Sequence, residues 1–336
     1  MQTDCFIVDS NGNVDPATSI IWDFPQVTRM TVYPIDETVL TVTGGKFTTI
    51  ANSWPTDAEY MTRGIAVTRS NTILDGIVHL VTGEGGTGTA YGGFYCVTNA
   101  VNVTFQNCIM TGHKPYSQAT GVRGNYDFSA DYAANIKVIN IVQSNSIYDG
   151  SFWGISGFNY IKNMVFDNVQ LSRIDAHTGF YNVTIRNSQL GHGSINAIGG
   201  GLLYVENTTI TADDFVAFRG DYGAIWEGNV VIRNCEFTPT NFHTSRIIDA
   251  RNDGQWDFGF PCVMPETITI EGLRLDESRA PPWYEGIILI AASNTGAREP
   301  FPYALTRIIT ISGFTSIKPW VIPNDYIRDR IQVITL

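Results

Sequence analysis

The chain has 336 residues, 43% apolar and 12% aromatic, which is ample core-forming material and excludes intrinsic disorder. Only 16% are charged while Gly accounts for 32 residues, a balance that disfavours helical bundles and favours many short strands joined by turns. The net charge is −11 and no Lys/Arg cluster offers a duplex footprint, so no nucleic acid is expected as a partner.

In chain order, the opening MQTDCFIVDS has no basic residue ahead of its apolar run and does not read as a secretory signal. Residues 1–45 contain the proline-bearing WDFPQVTRMTVYP and are expected to form a lead-in that caps the first coil. A phrase of alternating apolar residues, then Asn or Gly, then a second apolar pair recurs after that. It reads VTFQNCIM (103–110), MVFDNVQL (164–171), VTIRNSQL (183–190), LYVENTTI (203–210) and VVIRNCEF (230–237). Weaker copies are ILDGIVHL (73–80), VINIVQSNSI (138–147), ITIEGLRL (268–275) and ITISGFTSI (309–317). The marker falls at Asn107, Asn168, Asn187, Asn207, Asn234, Gly272 and Gly313.

A period of about 20 residues with variable insertions predicts a solenoid. Alternation gives each strand an inward and an outward face. The marker fits a left-handed turn residue, and stacked Asn side chains are expected to hydrogen-bond from coil to coil. Because parallel crossovers are right-handed as a rule, the expected fold is all-β, a single-stranded right-handed parallel β-helix. It spans residues 46–317, with insertions at about 81–93, 111–135, 254–266 and 279–304, before a C-terminal tail at 318–336 that breaks the period. Among five cysteines no CxxC pair occurs, and Cys108 and Cys235 share a repeat position that suits small core residues. The longest apolar run, Ile287–Ala292, is too short for a bilayer, so no membrane insertion is expected. The Gly-rich VTGEGGTGTAYGG (81–93) lacks the Lys-Ser/Thr of a phosphate loop and reads as a flexible loop. No calcium repeat, HExxH, GxSxG or Walker motif occurs, and neither metal nor cofactor is expected.

The segments preceding each coil place polar residues side by side. Asp175 and His177 are expected to face outward with Ile174 and Ala176 inward, and Asn196 to lie beside Asp175 one coil up. Arg219, Asp221, Asp249 and Arg251 continue the row, with Arg123 and Trp153 below it. Carboxylates on neighbouring coils stand about 5–10 Å apart, the separation glycosidases use for one acid and one base or nucleophile. Asp175, Asp221 and Asp249 are thus candidate acid and base, with His177 assisting; Arg123, Trp153, Asn196, Arg219, Arg251 and Trp256 are candidate substrate contacts. Each carboxylate equally suits a turn cap or an ion pair. His113, Lys114 and Tyr116 fall in the insertion 111–135, which would overhang the row. The late aromatics Trp256–Phe260 and Pro281–Tyr284, with Trp320 and Tyr326 of the tail, suit a sugar-binding rim or an interface between copies.

From about residue 44 to 275, phrases such as RGIAVTRSN, TGHKPY, LSRIDAHTGFYNVTIRNSQLGHGSINAIGGG and FRGDYGAIWEGN resemble the β-helix body of phage preneck-appendage and tailspike-like proteins of the pectin-lyase-like superfamily. The motif positions carried over are Asp175, His177, Arg219, Asp221 and Trp226. The resemblance implies a homotrimeric spike on a virion, or an extracellular protein, that binds a bacterial surface glycan or teichoic acid and degrades it. Hydrolysis is the expected chemistry. The alternatives are a lyase and a receptor-binding spike that does not cut.

Overall fold

The computed structural model describes residues 3–54, 60–118, 121–252, 262–292 and 304–336. Its strands join into one 22-stranded sheet whose neighbours pair in parallel, from Leu40–Thr43 to Gln332–Thr335. This is a parallel β-helix solenoid. A short antiparallel pair, Tyr116–Gln118 with Gly121–Arg123, stands outside the stack.

Two chemical rows hold the coils in register. Inside, one residue per coil repeats: Val103, Ile136, Met164, Val183, Leu203, Val230 and Ile268 are all buried. The rings of Phe105, Phe128, Phe158 and Phe180 follow one another at centroid distances of 4.7, 5.2 and 5.7 Å. Outside, each marker residue takes the left-handed conformation, with φ from +47° at Asn207 to +70° at Gly272. The expected asparagine ladder is present: Asn168 donates to Asn140 (2.8 Å), Asn140 to Asn107 (3.1 Å) and Asn107 to Asp75 (2.8 Å). A second ladder that the repeat phrase does not mark runs Asn182, Asn163, Asn135, Asn102, Asn71, each donating to the next at 2.9–3.2 Å. Asn suits both rows because its short amide tolerates positive φ and still reaches the next coil.

Several boundaries differ from expectation. The stack begins at Leu40, and the final strand, Gln332–Thr335, pairs with Ile308–Ser312, so the tail rejoins the solenoid. Phe128–Gln143 and Ile288–Ala292, placed wholly or partly in insertions by the sequence, are solenoid strands. The lead-in runs along the flank of the middle coils instead of capping the first. Asp4 pairs with the buried Lys162 at 2.6 Å, Ser19 accepts from the same ammonium at 2.7 Å, and Trp22 meets Tyr181 edge to face. The reason is electrostatic: an ammonium buried on the flank requires a counter-charge, and Asp4 supplies it. Most of the late aromatics in the described residues turn inward, while Trp283 stays half exposed. Tyr284 is buried against Phe242, Trp283 stacks on His243, and Trp320 and Tyr326 pack against the core. Trp256 and the rest of Trp256–Phe260 lie outside the described residues. Among the described residues no helix is long and apolar enough to cross a membrane.

Candidate functional site

The strand Ser156–Arg186 carries Arg173, Asp175 and His177. Pairing sets Asp175 beside Asn196, Asn196 beside Ala217 and Ala217 beside Asp249. Asn196 therefore lies where the alternation places it. Asp249 shares the row but stands three coil steps from Asp175, about 14 Å at the strand spacing, too far for the two to act as one pair.

Asp175 does not face solvent. Its carboxylate is fully buried beneath two guanidinium groups, Arg219 at 2.5 Å and Arg173 at 3.2 Å. Arg219 reaches it from the turn Gly220–Tyr222 while gripping Asp221 through two nitrogens, at 2.8 and 2.5 Å. Burial by itself raises the carboxyl pKa, but Arg173 and Arg219 outweigh it and hold Asp175 below the usual carboxylate range. His177 is mostly buried, 3.7 Å from Asp175, and its Nε2 lies 2.9 Å from the Tyr126 hydroxyl. Burial lowers its pKa, so its imidazole is neutral at pH 7.

Arg173 is placed by its surroundings. It lies under the Trp153 ring, 4.7 Å from the centroid, between two glycines. A Cβ on Gly193 would come within 2.7 Å of the Arg173 side chain and one on Gly154 within 3.1 Å, so the phrases WGISG and LGHGSIN leave room for this arginine. Its buried Nε has no hydrogen-bond partner among the described residues, and neither does Nε2 of His192. Both residues border a cleft of about 340 Å³, whose other walls include Phe152, Trp153, Asn196 and Asp214.

Asp214, in the cleft wall, shares an arginine with Asp249, which is not part of the lining. Asp214 and Arg246 are neighbours in the strand pairing, and Arg246 NH1 lies 3.0 Å from Asp214 and 3.4 Å from Asp249. Asp249 also takes two bonds of 2.8 Å from Arg251. Burial, and then the negative charge of Asp249, push the Asp214 pKa up to about 6.

Among the sequence-derived candidates, the structure brings Asp175, His177, Arg219 and Asp221 into one cluster, sets Trp153 and Asn196 in the cleft wall, and pairs Asp249 with Arg251. The Arg123 side chain lies outside the described residues, as does Trp256. Sequence reasoning passes over Asp214, Arg173 and the cleft position of His192. The signal for Asp214 is the acidic doublet in TITADDF directly after the strand Thr209–Ala212, hidden because the next coil carries a longer insertion before Arg246.

No family model matches the chain. It is similar to a capsule KL64-specific depolymerase of Klebsiella phage P510, 27% identical over 133 residues, which is 36% of this chain and 13% of that protein. The chain thus matches about an eighth of its relative's length, and the likeness is to a phage protein named for degrading a capsule.

Proposed function

We propose that this chain is a tailspike-like depolymerase, carried on a phage or released outside the cell, that binds a bacterial surface polysaccharide in the Trp153–Asp214 cleft and hydrolyses it. The observation that carries the reading is the carboxylate pair: Asp214, its pKa raised to about 6, stands beside the arginine-paired Asp249. In this reading Asp214 donates its proton to the glycosidic oxygen as the C–O bond breaks. Asp249 takes a proton from the water whose hydroxyl joins the anomeric carbon, and solvent then resets both groups. Trp153 offers a ring face to a sugar, and the Arg173 and His192 side chains border the cleft beside it. The similarity to a capsule depolymerase supports the substrate class.

Elimination is the second reading, favoured by one contact. The neutral His177 meets the Tyr126 hydroxyl beside Arg173 and Arg219, the kind of set that takes a proton next to an arginine-neutralised uronate. The test is incubation with a panel of purified capsular polysaccharides and teichoic acids, following reducing ends and ultraviolet absorbance. New reducing ends without absorbance, lost in Asp214→Asn, support hydrolysis. Unsaturated products, lost in Tyr126→Phe, replace it with elimination. Binding without cleavage of any polymer reduces the protein to a receptor-binding spike. The homotrimer implied by the resemblance belongs to the same reading, and light scattering showing a single 37.1 kDa chain would remove it.

A further inference from the structure

Away from the cleft, three buried side chains aim at one point. His79 comes from the strand Val78–Thr82, His113 from the turn after Ile109–Met110, and Asp127 from the residue preceding the strand Phe128–Gln143. All three are at most 1% exposed. Asp127 Oδ1 lies 2.5 Å from His79 Nδ1 and 3.2 Å from His113 Nε2, and the three atoms stand within 4.8 Å of one another.

The remote atom of each side chain is tied down. Nε2 of His79 meets the Thr49 hydroxyl at 2.8 Å, and Nδ1 of His113 meets Glu84 Oε1 at 3.0 Å. Asp127 Oδ2 accepts from the Thr111 amide at 2.8 Å. Phe94 stacks on the His79 ring at 3.8 Å and fixes its plane. Glu84 in turn accepts from the Lys114 amide and the Tyr116 hydroxyl, so the loop 81–93 that reads as flexible is anchored here.

Proton bookkeeping then constrains the centre. A carboxylate only accepts, so the Glu84 contact puts a hydrogen on His113 Nδ1. In the neutral ring the Nε2 lone pair would then face the Asp127 oxygen, lone pair against lone pair. Something positive must sit between them, either a second proton or a metal ion.

We infer that His79, His113 and Asp127 bind one divalent transition-metal ion, zinc in the first instance. Two imidazoles and a carboxylate are a zinc donor set, and a remote carboxylate or hydroxyl on each histidine is the support such ligands receive. With Zn–N and Zn–O distances of about 2.0–2.2 Å, tetrahedral donors lie roughly 3.3 Å apart. The His113–Asp127 separation already fits, the His79–Asp127 contact must open by less than about 1 Å, and the two imidazole nitrogens, which stand within 4.8 Å of each other, must close by up to about 1.5 Å. A water completes the shell. The ion would balance the two buried carboxylates Asp127 and Glu84, and it would fix the segment that presents Pro115 to the cleft wall.

The test uses the full chain, expressed with zinc and purified without chelator, and reads metal content, melting temperature and the visible spectrum after cobalt(II) exchange. The expected result is one zinc per chain, a four-coordinate cobalt spectrum, and a melting temperature that drops by several degrees with dipicolinate and recovers on adding zinc. His113→Gln and Asp127→Asn should each lose the metal and the chelator response. A wild-type chain that takes up no zinc or cobalt and melts identically with and without chelator overturns the proposal and leaves a proton at the centre. Full zinc occupancy in folded His113→Gln and Asp127→Asn overturns it as well, because the ion then sits elsewhere. The wild-type spectrum decides the matter even if both variants fail to fold.

Discussion

Asp175 and Asp214 are both withdrawn from solvent on the same side of the same solenoid, yet their carboxyl groups are driven in opposite directions. Asp175 is the more buried and remains ionised, because two guanidinium groups face it. Asp214 retains its proton to about pH 6, because burial and then the charge of Asp249 raise its pKa and the Arg246 guanidinium it shares with Asp249 does not offset them. The lesson is that burial drives both carboxyls toward the neutral form, and the cations facing each one decide whether that drive prevails, as at Asp214, or is overcome, as at Asp175. The first cluster holds the turn at Gly220–Tyr222 onto the coil below, and the second can give up a proton in the working pH range.

Substitution separates the two carboxyls. The largest effect is expected on chemistry: Asp214→Asn should lower polysaccharide cleavage by about two to four orders of magnitude, the usual worth of a general acid, while circular dichroism stays as in wild type and melting does not fall. The matching change on the anchor, Arg219→Ala, should act on stability. It strips a buried carboxylate of its nearest cation and should cost about 3–5 kcal/mol, read as a fall in the urea midpoint. If Arg219→Ala is harmless and Asp214→Asn unfolds the chain, the two roles have been exchanged.

Acidity sharpens the same contrast. The folded-state pKa of Asp214, about 6, exceeds that of an unfolded carboxyl, so between roughly pH 4 and 6 the folded chain holds a proton that the unfolded chain has released. Stability from this group therefore declines as pH rises through that window, by about 2–3 kcal/mol in all. Asp175 runs the other way. Its contribution is present above the unfolded carboxyl pKa and is lost as pH falls through its depressed folded value. Urea titrations between pH 3 and 7 on wild type and Asp214→Asn should show the declining part of the profile only in wild type. The smallest effect belongs to the outer ladder. Asn140→Ala should cost about 1 kcal/mol and Asn140→Gly less, since Gly keeps the positive φ while losing only the amide bonds to Asn107 and Asn168.

The solenoid was legible because its signal repeats. Asn107, Asn168, Asn187, Asn207 and Asn234 each report the same turn, and seven positions all show positive φ when Gly272 and Gly313 are included. The second ladder escaped because Asn71 and Asn102 stand at strand starts, outside the repeated phrase. In the candidate site, the row Asp175–Asn196–Asp249 follows from register alone. Arg219 folding back over Asp175 does not follow, because that depends on a turn whose shape no periodicity encodes. The pairing of Asp214 with Asp249 needs the insertion before Arg246 to be measured correctly, and sequence spacing measures insertions poorly. The His79–His113–Asp127 cluster is gathered from segments up to 48 residues apart, with no ligand spacing to announce it.

The most direct test is a carboxyl titration of the chain labelled with carbon-13 at the aspartate side-chain carboxyl, with Asp214→Asn and Asp175→Asn used to assign the two resonances. The expected result is an Asp214 midpoint near pH 6 and an Asp175 resonance that stays in its ionised position down to the lowest pH at which the protein is folded. An Asp214 midpoint near pH 4, or an Asp175 resonance that titrates alongside it, would contradict the division into acid and anchor.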